Sequence, residues 1–418
     1  MRAVDEGFDE QIAYTRKLVS YPSQRGEEFA IQDFMYRDLA ARGFKMDRFD
    51  MDEAQLTAHE GGAPFSRDHS RAPIVVGIHH PKQEIGRSLI LQHHLDVVPV
   101  GPEDMWEQAP YGGAVVGDRL YGRGAGDMKA GAAANVFAFE ALRRIGLQPA
   151  ATVYLQSVVE EECTGNGALA CIQRGYKADG ALVPEPFGPS IMRAEVGLMW
   201  LCLDIQGDPQ HASAAFQNVG ANALEKAIHI WPFLKRLESE WNARKADHPI
   251  YRDHPHPIRV NLGKLSGGDW VSSVPATARM EVRLGVLEGE DLAQIRQEIL
   301  DRVAEACAAD PYLRDHPPKA TFHGFMADGY VLEPGSEIEA AMGRAHEAVF
   351  GTPVTSTISS AVTDARYFGL YQDTPSIVYG AVCGQPHGID EYVELDSLKQ
   401  ATRAYALFIA DWCGLEAL

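Results

Sequence analysis

Basic charge is scarce in this chain. Its 418 residues carry 38 lysines and arginines against 58 aspartates and glutamates, a formal net charge of -20. No basic face able to neutralise phosphates is expected, which argues against nucleic acid and against anionic membrane surfaces. Cysteine is sparse too: Cys163, Cys171, Cys202, Cys307, Cys383 and Cys413 are scattered, with no CxxC pair. That fits a reducing, cytoplasmic setting better than a disulfide framework. No apolar run is long enough to cross a bilayer. The start, MRAVDEGFDEQ, lacks a basic region followed by an apolar one, so no secretion signal is expected. Internal repeats and low-complexity tracts are also missing. What remains is an ordinary globular composition, 45% hydrophobic and 23% charged. At this length the chain exceeds one compact core, so two or three units are expected.

The first 190 or so residues alternate between helical and strand patterns. Ile31, Phe34, Met35 and Leu39 recur at helical spacing before Gly43. SLILQ, ATVYLQSVV and GALVP are short apolar runs, expected as buried strands of a mostly parallel central sheet flanked by helices. The pattern changes near Glu195. MWLCLDIQG reads as a strand, and a long helix follows with Leu224, Ala227, Ile228, Trp231 and Leu234 on one stripe. IRVNLGKL, an alternating run from Val274 to Leu284, a helix with Leu292, Ile295 and Ile299, and KATFHGF come next. The order β-α-β-β-α-β predicts an inserted ferredoxin-like α+β domain. The expected division is a catalytic domain at 1–193 and 327–418, interrupted by a lid or dimerisation domain at 194–326. A helix near 336–350, the strand SIVYGAV and a last helix at about 396–412 complete the first domain.

Five short segments carry chemistry: LQHHLDVVP, LYGRGAGDMKAG, VVEEECTGNGA, LVPEP and QPHGIDEYVEL. They offer imidazoles and carboxylates but no thiolate, a donor set for one or two divalent ions such as zinc, cobalt or manganese. Four of the five lie at or just after an expected strand, where open α/β sheets bind ligands. In the first, His94 is the candidate ligand and Asp96 the carboxylate that orients it, with His93 the rival ligand. Asp127 lies between glycines and a helix start, where a carboxylate is also favoured as a simple cap. Glu160, Glu161 and Glu162 end a strand. On an extended chain Glu161 and Glu162 point to opposite sides, leaving one for metal and the other as general base. Glu185 is held between prolines. His387 lies in a turn, where a lone histidine is more often structural. Two divalent ions would be neutralised by Asp127, Glu162, Glu185 and one hydroxide, leaving Glu161 for proton transfer. A metal pair can lower the pKa of bound water to about 7 and polarise a carbonyl.

On these segments the chain resembles the co-catalytic zinc aminoacylase and carboxypeptidase family, which includes acetylornithine deacetylase, succinyl-diaminopimelate desuccinylase and related di- and tripeptidases. The resemblance covers essentially the whole chain. It implies that His94, Asp127, Glu162, Glu185 and His387 hold two divalent metal ions, zinc first among them, with Asp127 bridging. It implies that Asp96 orients His94 and that Glu161 is the general base. His211, in GDPQHASAAFQNVGANA, matches a lid histidine that helps hold the oxyanion, often from the partner of a homodimer. The chain departs from the family in carrying His93 where a glycine is usual, Glu160 where an aspartate is usual, and Ser272 where an asparagine often contacts substrate. Arg283 and Arg366 match positions near which relatives hold substrate carboxylates.

The function this implies is hydrolysis of the amide bond of a small N-acyl amino acid or N-acyl amine. A metallo-dipeptidase or carboxypeptidase and an N-formyl aminopyrimidine deformylase are the rivals within hydrolases. A catalytically inactive binding or dimeric scaffold protein is the rival from another class, and the complete donor set argues against it.

Overall fold

A computed structural model describes residues 1–214 and 221–418; residues 215–220 of the segment that follows His211 lie outside the described residues. The chain forms two units. One comprises Met1–Arg193, Val331–Thr357 and Thr363–Leu418, the other Ala194–Tyr330 and Ile358–Val362.

The larger unit is built on a six-stranded sheet. Its strands lie in the order Lys45–Phe49, Ile74–His79, Val153–Val158, Leu89–His94, Ala181–Val183 and Ser376–Val378. Only Ile74–His79 runs against the others. Every residue of Leu89–His94 is buried, as expected for a strand covered on both faces. Each fully buried leucine or isoleucine there contributes about 1.5–3 kcal/mol. The helix Ala130–Arg144 packs against this strand and is flanked by Arg2–Val19 and Leu395–Cys413. Its first turn is small for a reason: a Cβ on Gly131 would stand 2.4 Å from the carbonyl oxygen of Pro184. The helix therefore lies hard against the segment that carries Glu185.

The second unit has a four-stranded antiparallel sheet in the order Val260–Gly267, Thr277–Val286, Gly197–Gln206, Lys319–Ala327. Helices Ala223–Arg244 and Leu292–Ala308 pack on one another, so the chain order is β-α-β-β-α-β. Asn222 caps the first helix by accepting from the amides of Leu224 and Glu225. The buried stripe of that helix differs from the expected one. Ala227, Ile230, Leu234, Leu237 and Trp241 face inward, while Ile228 is exposed. The inward set alternates steps of three and four residues, and Ile228, one residue past Ala227, turns away from it. The alternating strand begins at Thr277 rather than Val274, since Pro275 has no amide to give to the ladder.

Candidate metal centre

The strand Leu89–His94 delivers two adjacent histidines to opposite faces. His93 is buried against Ser157 Oγ at 2.7 Å and the Asn135 amide at 3.4 Å. Burial pulls its pKa down to about 3, keeping the ring neutral. His93 is therefore a core residue. His94 faces the carboxyl end of the sheet. Its Nδ1 lies 3.0 Å from the carbonyl oxygen of Asp96 and 3.6 Å from the Asp96 carboxylate. This leaves Nε2 to face Asp127 Oδ1 at 3.1 Å, Glu185 Oε1 at 3.5 Å and Glu161 Oε2 at 3.8 Å.

A second imidazole approaches from the other side. His387, in a turn with φ 61°, places Nε2 at 3.1 Å from Glu162 Oε2 and 3.5 Å from Asp127 Oδ2. Asp127 thus turns one oxygen to each histidine. It does not cap the following helix. It lies in the irregular turn Ala125–Lys129 with non-helical φ and ψ. Asp96 serves twice, since its Oδ2 also accepts from the amide of Glu162 at 3.1 Å.

The acidic segment is not extended as expected. Glu160 is left-handed at φ 69°, and its carbonyl oxygen accepts from the amides of Cys163, Thr164 and Gly165. The chain therefore closes into a turn at 161–164. Glu161 and Glu162 still diverge, one toward His94 and Glu185, the other toward His387 and Asp127. Two residues without an assigned role support this turn. Arg25 grips Glu160 with two hydrogen bonds of 2.7 and 2.8 Å, and Ser70 gives it an amide at 2.7 Å. Their distance in sequence hid them. Asp364, buried and held up to about 7 by burial, lies within electrostatic reach of His94 and Glu161. Glu391 lies against the Asp127 turn, accepting from its amides, and no local sequence signal pointed to it.

The electrostatics are those of a site short of positive charge. Burial pushes the carboxyls of Glu161 and Glu185 well above their ordinary range. Burial acts on Asp127 in the same sense, but hydrogen bonds from His387 and His94 outweigh it and hold its carboxyl far below. His387 is drawn upward by Glu162 first. Protons are thus recruited to crowded acids and imidazoles. Glu185 Oε1 is buried with no hydrogen-bond partner among the described residues. An all oxygen and nitrogen donor set with such an orphan fits divalent cations. His94, Asp127 and Glu162 present ligand atoms within 4.8 Å of one another, as do His94, Glu161 and Glu185.

The profile of the family described as "Peptidase family M20/M25/M40" matches residues 90–411. The chain belongs to this family. It is a metallohydrolase that acts on linear amide bonds. Among its M20/M25/M40 relatives, N-formyl-4-amino-5-aminomethyl-2-methylpyrimidine deformylase of Halalkalibacterium halodurans is 25% identical, covering 99% of this chain and 96% of the relative. The protein of the same name from Bacillus subtilis is 26% identical, at 99% and 97% coverage. The fold is similar to that of a di-peptidase from Saccharomyces cerevisiae, with a TM-score of 0.84 at 14% identity over 99% of this chain and 97% of the other.

The remaining candidates are Arg366 in the larger unit and His211, Ser272 and Arg283 in the second. Arg366 is buried, stacked on the Tyr367 ring and donating to the Tyr367 hydroxyl at 2.7 Å, with the Thr164 carbonyl at 3.5 Å. It therefore sits beneath the acidic turn. In the second unit, His211 is exposed, its Nδ1 2.6 Å from the Ser213 hydroxyl. Ser272 is exposed, and its carbonyl accepts from the Ala212 amide. Arg283 is half-buried and donates to the Ser360 carbonyl at 2.7 Å.

Proposed function

We propose that this protein hydrolyses the amide bond of a small N-acyl amine, and that an N-formylated aminopyrimidine is the first substrate to test. The observation that carries the reading is Asp127, with one carboxylate oxygen facing His94 and the other facing His387. A carboxylate so shared suits two divalent ions, zinc or else cobalt or manganese. His94 and Glu185 would complete one set of ligands, and Glu162 and His387 the other. Bound there, the ions would supply an ionised water and polarise the amide carbonyl.

The chain's own residues do the rest. Glu161 is the carboxylate of the acidic pair left free by this ligand set, and burial raises the proton affinity of its ionised form. It is suited to take a proton from the attacking water and return it to the leaving nitrogen. Asp96 fixes the tautomer of His94 and the backbone of Glu162 together. His211 is the candidate donor to the oxyanion. Of the candidates for substrate contact, Ser272 is exposed and Arg283 half-buried, whereas Arg366 is enclosed and would act by supporting the acidic turn.

The second unit is proposed to serve as lid and dimer surface. Its edge strand Val260–Gly267 is followed by exposed Trp270 and Val271, an apolar patch of the kind that partners cover. A cytoplasmic location is supported by six unpaired cysteines, and no helix among the described residues is long and apolar enough to cross a membrane.

The formyl reading is favoured by the two curated relatives matched over nearly their whole length. The test is a screen of metal-reconstituted protein against formyl, acetyl and succinyl amides alongside dipeptides. Formate release from an N-formyl aminopyrimidine is the expected result. Turnover confined to dipeptides, with an amino acid freed from each half, would replace this reading with a peptidase.

A further inference from the structure

The turn that carries Asp127 has few intrinsic reasons to hold its shape. Gly122, Gly124 and Gly126 surround it, and Gly124 is left-handed at φ 77°. Its residues are nevertheless buried, so their amides need acceptors. One side chain supplies them. Glu391 Oε1 accepts from the amides of Gly126 at 2.9 Å and Asp127 at 3.0 Å. Its Oε2 accepts from the amide of Gly124 at 3.1 Å and from Arg123 Nη1 at 2.6 Å. The carbonyl oxygen of Glu391 also accepts from the Gly122 amide at 2.8 Å. Both Arg123 and Glu391 are almost wholly enclosed, where charge-assisted hydrogen bonds are strong and an unpaired partner is costly.

The same short segment carries His387, whose Nε2 reaches the Asp127 carboxylate. Asp127 is therefore held twice from one stretch of chain, at its backbone by Glu391 and at its side chain by His387. We propose that Glu391 is a positioning residue that sets the direction of the Asp127 carboxylate, so that one oxygen meets each imidazole. The assignment rests on the metallohydrolase reading above. Glu391 touches neither the reacting atoms nor the ligand oxygens, and it acts only through the amides of the turn.

Glutamine at this position keeps the shape but turns one acceptor into a donor facing Arg123 and the Gly124 amide. The test is a cobalt titration of chelator-stripped protein, followed by visible absorbance and by competition with a chelator. Four proteins are compared: wild type, Glu391→Gln, the double variant Arg123→Met with Glu391→Gln, and Asp390→Asn. The double variant removes both buried charges together and guards against misfolding of the single one. Asp390 accepts from the amides of Glu107 and Gln108 and controls for general damage to the segment.

Cobalt affinity should fall about 10–100-fold in both Glu391 variants, with an altered visible spectrum. On a cleaved amide kcat should fall while KM stays within about threefold, because substrate binding is left in place. Asp390→Asn should match wild type. Wild-type affinity and spectrum in a folded Glu391 variant would overturn the proposal. So would loss of cooperative unfolding in both Glu391 variants, which would mark a residue of the whole fold. A wild type that binds cobalt but cleaves no amide sinks only the substrate reading, and one that binds no cobalt sinks both.

Discussion

The two units place their candidate residues in opposite ways. In the larger unit, His94, Asp127, Glu161, Glu162 and Glu185 lie at strand ends or in turns pinned by buried partners. In the second unit, His211 and Ser272 stand exposed near an antiparallel sheet, the ring of His211 bonded to Ser213 and the carbonyl of Ser272 to the Ala212 amide. The first arrangement suits chemistry that needs fixed distances between charges. The second suits contacts that differ from one substrate to the next, because an exposed loop residue can change without disturbing a core. The departure at Ser272 falls in the second group, whereas those at His93 and Glu160 lie beside the candidate ligands and leave the set of imidazoles and carboxylates complete.

That contrast is broken or sharpened by substitution. The largest effect is expected for Glu161→Gln. It should lower kcat by about 10²–10⁴-fold with metal content unchanged, measured by turnover and elemental analysis of one preparation. Retained activity would remove Glu161 from the role of base. Stripping the metals comes next. Without cations the crowded carboxylates must be held by protons, so chelation should abolish activity and lower Tm. Excess zinc or cobalt should restore both, by about 4 kcal/mol when the free ion is a thousand times its Kd. An unchanged Tm on chelation would mean that the cluster holds no metal in the folded protein. In the second unit, His211→Ala should cost about 10²–10³-fold in kcat. Being exposed, it should leave metal content and Tm near wild type. Loss of metal in that variant would erase the distinction between the units.

The sequence displayed the strand ends well because burial on both faces leaves an apolar run that stops abruptly at a polar residue. LILQ ending at His93 and His94 is such a run, and alternation then assigns one histidine to the core and the other to the site. The β-α-β-β-α-β order between Gly197 and Ala327 was legible from a change of period. The turn at 161–164 was not, because it depends on a left-handed Glu160 whose side chain is held by Arg25, Ser70 and Thr164. The clamp by Glu391 reaches back 264 residues to the amide of Asp127, and no local pattern reports a contact of that range. The inward face of helix Ala223–Arg244 was misjudged because apolar character alone does not mark it: Ile228 is apolar yet exposed, while Ile230 and Leu234 are buried.

The smallest effect expected is also the most specific to the buried unit. Glu28 is fully enclosed. Its Oε2 accepts from the Gly26 amide and the Ser70 hydroxyl at 2.9 and 2.8 Å, while Oε1 has no hydrogen-bond partner among the described residues. Burial, and after it the charge of Asp96, raises the carboxyl from 4.5 to about 7. The sign follows from linkage. At low pH the group is protonated in both folded and unfolded chains and adds no penalty. As pH climbs past 4.5 the unfolded chain ionises while the folded one resists, so folding is progressively disfavoured until the folded group also ionises near pH 7. Above that the full penalty persists. Glu28→Gln keeps the acceptor for Gly26 and Ser70 and removes the buried charge. It should be close to neutral at pH 5 and should stabilise by about 1–3 kcal/mol at pH 8. Urea midpoints at the two pH values decide it. An equal shift at both would show that Glu28 is ionised and satisfied in the fold, and that the unit carries no such cost for keeping acids beside its site.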